Sequence, residues 1–444
     1  MMVPAKSRSG LHCVFVVVSV LCLSDASAAD PDAGFSHPGI AHTRAELEFV
    51  KGKLASSAEP WASAWQRLTE SSYASLDWTP QPRAHVERGP SNNPNIGSSE
   101  FTQDGTAAYT LALRWALSGD HRYAEKSAEV IAAWSTTLKS ISNHDARLLI
   151  GMDGQKYCNA AELLKHTWDG WPEQQQTQFR SMLREVWYPV IKDFYPSANG
   201  NWDASMLQTM IAMGIFLDDR EMFDRAVRYF REGEGNGAIT NYFNEFGECQ
   251  ESGRDQAHTQ MGLEFLANTC EFAWAQDVDL YGAHDNRLLL GFEYTAKYNL
   301  GFDVPYEPYV SFERRYHYKS ISDNSRGSLR LMYEKVYNHY HNRKGLDAEF
   351  TEQAAMKNRE RVFQERGGDR ERRETDSRNL EPRDSEQRSP EQQRPEQQRP
   401  EQQRPDQRSP ERRKRRGNRS RGQGSLYWDT LMFANQPASF AEDQ

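Results

Sequence analysis

The chain has few cysteines, no long apolar run and no surplus of positive charge, and each shortage closes a class of explanation. Five cysteines are spread over 444 residues. Cys13 and Cys22 sit in an N-terminal apolar stretch, which leaves Cys158, Cys249 and Cys270 beyond it. An odd number at wide spacing is neither a disulfide framework nor a zinc motif, so at most one disulfide can form. A net charge of −9 gives no general case for nucleic acid as a partner. The dinucleotide glycine fingerprint, the phosphate-cradling glycine loop, the Gly-x-Ser-x-Gly elbow and the paired histidines of metalloproteases are all missing. The sequence therefore points to no cofactor and no metal.

The apolar run Leu11 to Leu23 is about 13 residues long, short of the roughly 20 that a spanning helix needs. Lys6 and Arg8 precede it and Ala26-Ser27-Ala28 comes after it. A positive start, an apolar middle and a small-residue end form the pattern of a secretory signal, with cleavage near Ala28 or Ala29. Cys22 comes directly after Leu21, where a lipoprotein signal wants a small residue. The protein is expected to be exported, periplasmic or secreted, with no membrane attachment after cleavage.

Beyond residue 29 the pattern is mostly helical. Thr43 is a plausible N-cap for a helix over Arg44–Leu54. Ala107–Leu117 is a dense apolar helix closed by Ser118-Gly119-Asp120, and Tyr123–Leu138 is amphipathic. Ala160–Thr167 and Glu173–Phe194 continue the series. Asn201–Leu217 is apolar almost all round, which marks a buried helix, and Arg220–Glu232 is its amphipathic successor. Further helices are expected over 256–275, 284–298 and 326–341. Buried and amphipathic helices in alternation imply helical hairpins in two concentric layers. Few strands are expected, with Ser425–Phe433 a candidate. Residues 357–423 are nearly devoid of apolar side chains and carry Glu-Gln-Gln-Arg-Pro three times over at 391–405. Such a stretch cannot offset its ordering entropy and reads as a disordered insertion. The domain expectation is a signal over 1–29, a helical domain over 30–356, the insertion over 357–423 and a returning segment over 424–444. A monomer is expected.

Three groupings could carry chemistry. In 248–266 the chain crowds Glu251, Arg254, Asp255 and His258 into two turns ahead of an apolar stretch. At 100° per residue they share one helical face, which continues as Met261, Gly262 and Phe265. Charge at one end of an apolar stripe suggests a polar cavity there; an ion-pair network with a core histidine is the plainer reading. Asn199-Gly200-Asn201-Trp202 opens the buried helix, where the asparagines can be a turn and cap, an amide donor for a carboxylate, or both. Tyr294, Tyr298, Tyr306, Tyr309, Tyr316 and Tyr318 fall close together, most of them as packing residues. His339-Tyr340-His341 reads as structural. Nineteen tyrosines and eleven tryptophans would suit stacking on sugar rings, though core packing explains most of them.

The 248–266 run, His37-Pro38-Gly39, Ala107–Leu117 with Gly119-Asp120, Asn159-Ala160-Ala161-Glu162-Leu163-Leu164, Asn201-Trp202 and Tyr298-Asn299-Leu300-Gly301 together resemble the alginate lyase superfamily. Within it the chain looks most like polysaccharide lyase family thirty-eight and more distantly like family five. The resemblance covers about residues 37–350 and 424–436. It implies an all-α fold, an (α/α) toroid, and β-elimination on a uronic-acid polysaccharide of alginate or glucuronan type. That reaction needs the substrate carboxylate neutralised, a base at C5 and an acid at the departing O4. Carried over by position, Asn201 resembles the neutraliser, and His258 the base or the neutraliser's partner. A downstream tyrosine would be the acid, with Tyr309 preferred because Pro305 and Pro308 bound its loop. Arg254 would bind the carboxylate or orient the site, and Trp202, Glu251, Tyr298 and Asn199 would contact substrate. Family five carries Asn-His where this chain has Asn201-Trp202, and a tyrosine near His258, which leaves the division of base and acid open. Two rival readings stand beside the lyase: a toroid glycoside hydrolase using Glu251 and Asp255 as paired carboxylates, and a non-catalytic polysaccharide-binding protein.

Overall fold

The computed structural model describes residues 34–378 and 427–438, with side chains placed up to residue 363 and again from 427. The expected signal at 1–29 and residues 379–423 of the expected insertion lie outside the described residues.

Five helices form an inner row: α3 (Ser98–Ser118), α5 (Ala146–Thr167), α8 (Asn201–Leu217), α11 (Gln256–Trp274) and the short α13 (Tyr333–Tyr337). Each packs on the next: α3 on α5, α5 on α8, α8 on α11 and α11 on α13. An outer row of α4 (His121–Thr137), α6 (Glu173–Met182), α9 (Arg220–Glu232), α12 (Ala283–Asn299) and α14 (Glu349–Arg378) backs them. Here α4 packs on α3 and α6, α9 on α8, α12 on α11, and α14 on α12 and α13. The remaining sector is filled by α1 (Arg44–Ala55), α2 (Trp61–Glu70) and α15 (Trp428–Phe433), with α15 against α1, α2 and α13. The result is the expected toroid of helical hairpins. Among the described residues no helix is long and apolar enough to cross a membrane.

The two rows are explained by their sequences. Every residue of α8 except Trp202 is buried, because helices press on it from three sides. Its neighbour α9 buries only Met222, Phe223, Ala226, Val227 and Phe230, the i, i+1, i+4, i+5, i+8 stripe of a half-solvated helix. Thr43 caps α1 as expected and adds a capping box with Glu46. Cys158, Cys249 and Cys270 are buried free thiols. His339 is buried and stacked on Tyr281 at 3.8 Å, and burial lowers its pKa to about 2, so the structural reading of that tripeptide holds.

Two expectations need correction. Residues 428–433 are a helix, not a strand. Thr430 to Phe433 are buried consecutively, and a short apolar run burying every side carries no period that separates helix from strand. The insertion was also expected to begin at 357, yet α14 runs on to Arg378. Thr351, Ala354, Ala355, Asn358 and Val362 form a buried stripe, and Arg359 pairs with the buried Glu334 of α13. Among the described residues the strands are few and short: β1 (His85–Arg88) between β2 (Asn95–Ile96) and β3 (Ser140–Ser142), and a hairpin of β4 (Tyr309–Val310) and β5 (His317–Tyr318).

Candidate active site

The turn at 248–255 lies on the N-terminus of α8 and leads into that of α11, while Trp202 of α8 meets His144 ahead of α5. That turn completes α8 from outside. Gly200 donates its N–H to Gln250 Oε1 at 2.9 Å and Asn201 its own to Glu251 Oε2 at 3.0 Å. A carboxylate at a helix N-terminus is favoured by the exposed amides and the helix dipole. Gln250 Nε2 donates in turn to Asn199 Oδ1 at 3.1 Å.

Glu251 is the hub. Its Oε2 also accepts from the Tyr242 hydroxyl at 3.0 Å, and its Oε1 from Arg254 Nη1 at 2.7 Å. It is 0% exposed. Burial pushes its carboxyl above the usual range, against the pull of Arg254. The sequence reading made Glu251 a substrate contact; the structure corrects this, because both oxygens are occupied and neither is accessible. Glu251 instead holds Asn201, Tyr242 and Arg254 in register. Gly262 on α11 makes this possible, since a Cβ there would collide with the Tyr242 hydroxyl and lie 3.2 Å from Asn201 Cβ.

Glu251, Arg254, Asp255 and His258 do come together, but not along one helix face. The helix begins only at Gln256, and Asp255 is its N-cap. Asp255 takes the His258 N–H on Oδ1 at 2.7 Å and the His258 ring on Oδ2, with Nδ1 at 2.6 Å. Burial raises the Asp255 carboxyl, but the bonds to His258 outweigh it and hold the group below the usual carboxylate range. An ionised carboxylate can only accept, so Nδ1 carries the hydrogen, and in the neutral ring Nε2 has the lone pair. His258 is 37% exposed at the side chain, so that lone pair is reachable.

Asn201 is unusual on the same rim. Its Oδ1 is buried with no hydrogen-bond partner, and its Nδ2 makes no hydrogen bond among the described residues. A half-turn about χ2 exchanges the two ends. One end of this amide therefore stays unmatched by protein.

The tyrosines sort differently from the expectation. Tyr309, preferred as the acid, donates its hydroxyl to the carbonyl of Asn241 in the short helix α10 (Ile239–Tyr242). A phenol that turns inward needs an acceptor, and this one has taken a backbone carbonyl. Tyr298 is buried with its ring under the Arg326 guanidinium at 3.9 Å, so it packs and is not brought to the cluster. Tyr318, paired with Tyr309 across the β4–β5 hairpin, is the one that arrives. Its hydroxyl lies 3.5 Å from Asn199 Oδ1, and its pKa rises to about 12 through burial while Arg254 pulls it down. Gly253 lets the turn lie on it, because a Cβ there would strike Tyr318 Cβ.

Trp202 stands half-buried at the mouth, edge-on to His144 at 5.3 Å and to Tyr195 at 5.6 Å. His144 forms a second histidine–carboxylate pair, with Nδ1 2.6 Å from Asp145 Oδ1. The sequence reading missed this pair; a His-Asp dipeptide directly ahead of α5 was the available signal. Around it stand cations that form no salt bridge among the described residues. Arg88 and Arg147 make no salt bridge among the described residues, and Arg315 bonds only to the hydroxyls of Tyr195 and Ser197. A cavity of about 130 Å³ begins one turn beyond His258, at Met261. Its cations are all spent, Lys156 on Asp153, Arg330 on Glu264 and Lys335 on Asp429, so free charge lies at the mouth and not in the cavity.

The family model "Alginate lyase" matches residues 51–302. Among solved structures the chain is similar to an alginate lyase from Bacteroides ovatus, at 14% identity and a TM-score of 0.55, covering 72% of this chain and 95% of that one. Alginate lyase A1-III from Sphingomonas species A1 matches at 14% identity and a TM-score of 0.53, covering 73% and 93%. A histidine-to-alanine variant of A1-III complexed with a tetrasaccharide matches at 14% identity and a TM-score of 0.53, covering 72% and 93%. No curated relative matches.

Proposed function

The chain belongs to the alginate lyase family, and from that premise we propose an exported polysaccharide lyase that cleaves a uronan of alginate or glucuronan type. The observation that carries the residue assignment is His258, locked by Asp255 through Nδ1 and open at Nε2, beside the unmatched amide of Asn201. The uronate carboxylate lies against Asn201 and the free N–H groups of Arg254. Their donors draw charge from C5 and stabilise the enolate as it forms. His258 Nε2 takes the C5 proton, the electron pair makes the C4=C5 double bond, and the C4–O4 bond breaks. Tyr318 replaces Tyr309 as the acid that delivers a proton to O4. Trp202 offers an aromatic face at the mouth, and Asn199 steers Tyr318.

Arg88, Arg147 and Arg315 suit a polyanion, because Glu251 and Asp255 leave little net positive charge at the cluster itself. The burial of Glu251 counts against the hydrolase reading, which requires it as an accessible carboxylate. Export rests on the positive, apolar and small-residue pattern of residues 1–29, and N-terminal sequencing of the mature protein tests it.

The decisive assay offers the protein polymannuronate, polyguluronate and glucuronan and tracks the ultraviolet absorbance of unsaturated uronate. A rise with one polymer supports the lyase and names its substrate. New reducing ends without absorbance would make it a hydrolase, and binding with neither would make it a non-catalytic polysaccharide-binding protein.

A further inference from the structure

The far end of α5 holds a second cluster that the elimination chemistry does not use. Glu162 lies about 24 Å along the helix from its start, at 1.5 Å per residue. It faces His166 one turn on, and His37 from the segment that precedes α1. One donor atom from each of His37, Glu162 and His166 lies within 4.8 Å of the others. We infer that these three side chains bind one divalent cation of the zinc type, which fastens residues 34–42 to the ends of α5 and α8.

The polar atoms are arranged for a ligand that protein does not supply. Glu162 is 1% exposed, and its Oε2 is buried without a hydrogen-bond partner among the described residues. His166 Nε2 is likewise buried and unpartnered, 3.7 Å from that oxygen. Bonds of about 2.0–2.1 Å in a tetrahedron place donors roughly 3.4 Å apart. The His166–Glu162 pair is already near that spacing. His37 Nδ1 sits 2.7 Å from Glu162 Oε1 and would move out by a fraction of an ångström. The two imidazoles are stacked at 4.2 Å with planes only 6° apart, so both bring a nitrogen to the same carboxylate.

The surroundings fit as well. The other nitrogen of His37 meets Asp218 Oδ1 at 2.9 Å, the carboxylate–histidine arrangement that fixes a metal-binding imidazole. Gly39 donates its N–H to Glu162 Oε1 at 3.1 Å and holds the carboxylate in place. Glu162 and His166 lie in the last turns of α5 and Asp218 caps α8, and the negative ends of helices favour a cation. Nitrogen donors select against calcium and magnesium, which want an all-oxygen shell. The side chains of His37 and His166 are partly exposed, which leaves an entry path and room for water as a fourth ligand. Without a cation, His37 can still bridge Glu162 and Asp218, but Glu162 Oε2 and His166 Nε2 then stay buried and unmatched.

The test is calorimetric titration of the chelator-stripped full chain with zinc chloride, with calcium chloride as the control, and melting curves at each end point. One equivalent of zinc should bind and raise the melting temperature, while calcium does neither. His166→Ala and Glu162→Gln should each weaken zinc binding at least tenfold. His258→Ala, which removes the other carboxylate-paired histidine on an inner helix, should leave it unchanged. Failure of the wild-type chain to bind zinc overturns the proposal, and this result needs no variant to fold. So does zinc binding that survives in His166→Ala, or that disappears in His258→Ala.

Discussion

Two guanidinium–carboxylate clusters involve α11, and they are finished in opposite ways. Near its C-terminal end, Arg343 reaches from beyond α13 to Glu46 of α1 and Glu271 of α11, at 3.0 and 2.9 Å, with its side chain 4% exposed. Each member there has further partners: Glu271 also takes the Tyr281 hydroxyl, Glu46 the Thr43 N–H, and Arg343 reaches Gln436 after α15. At the N-terminal end, burial falls away from Glu251 through Arg254 to His258, and the outermost nitrogen, His258 Nε2, has no partner among the described residues. The closed cluster joins four distant parts of the chain and buries them. The graded one spends its buried member on positioning and its exposed members on something from outside. Satisfaction, more than charge, separates a clasp from a site.

The sharpest way to break that comparison is to remove the outermost group of the open cluster. His258→Ala should lower lyase turnover about 10²–10⁴-fold, the usual range for a general base. Its melting curve should stay close to that of the parent chain, since the side chain is partly solvated and its backbone cap to Asp255 survives. Substantial turnover in this variant would mean that the open valence of His258 is not used and that the tyrosines supply both base and acid.

The closed cluster should respond the other way. Arg343→Met leaves two buried carboxylates facing each other and should cost about 3–5 kcal/mol of stability. Denaturant curves read that loss directly. Turnover per folded molecule, taken well below the new midpoint, should match the parent. A turnover loss in the folded protein would show that the clasp also shapes the site.

Much of this contrast could be seen in the sequence, and its limits are physical. The bounds of α8 and α9 were legible because one helix is apolar all round and the other has a clean stripe. The company of Glu251, Arg254, Asp255 and His258 was legible from spacing alone. Their roles were not, because what buries Glu251 is Tyr242 and the start of α8, neither of them marked by the local spacing. The extension of α14 was hidden by composition: Ala354, Ala355, Asn358 and Val362 keep a helical stripe inside a run dominated by charge. His144 and Asp145 look unremarkable until Trp202 is placed against them.

Asn201 sharpens the comparison within the open cluster, since its backbone serves the fold while its amide stays unmatched. Asn201→Ala keeps the N–H that Glu251 caps and deletes only the amide. Turnover should fall about 10²–10³-fold, or ~2.7–4 kcal/mol in the barrier, the usual effect of losing one donor to a developing oxyanion. The loss should appear mainly in kcat, because the amide grips hardest as charge develops. A lowered melting temperature with normal kcat would return Asn201 to the role of a cap.

The smallest effects come from two tyrosines that the hairpin sets side by side. Tyr309 and Tyr318 are cross-strand partners, yet one hydroxyl is closed by the carbonyl of Asn241 and the other lies near Asn199, Arg254 and Glu251. Phenylalanine keeps the ring and removes only the hydroxyl, so it separates proton donation from packing. Tyr318→Phe should lower turnover about a hundredfold, the low end for a general acid, because water can reach a half-buried site and partly replace it. Tyr309→Phe should cost about 0.5–1.5 kcal/mol of stability, the net worth of one neutral hydrogen bond, and leave kcat unchanged. The two are compared in one assay on one polymer, with kcat read alongside the denaturation midpoint. If the effects are exchanged, with Tyr309→Phe slow and Tyr318→Phe active, the hairpin must turn over when substrate binds, and the rule that satisfied valences mark structure fails at its nearest test.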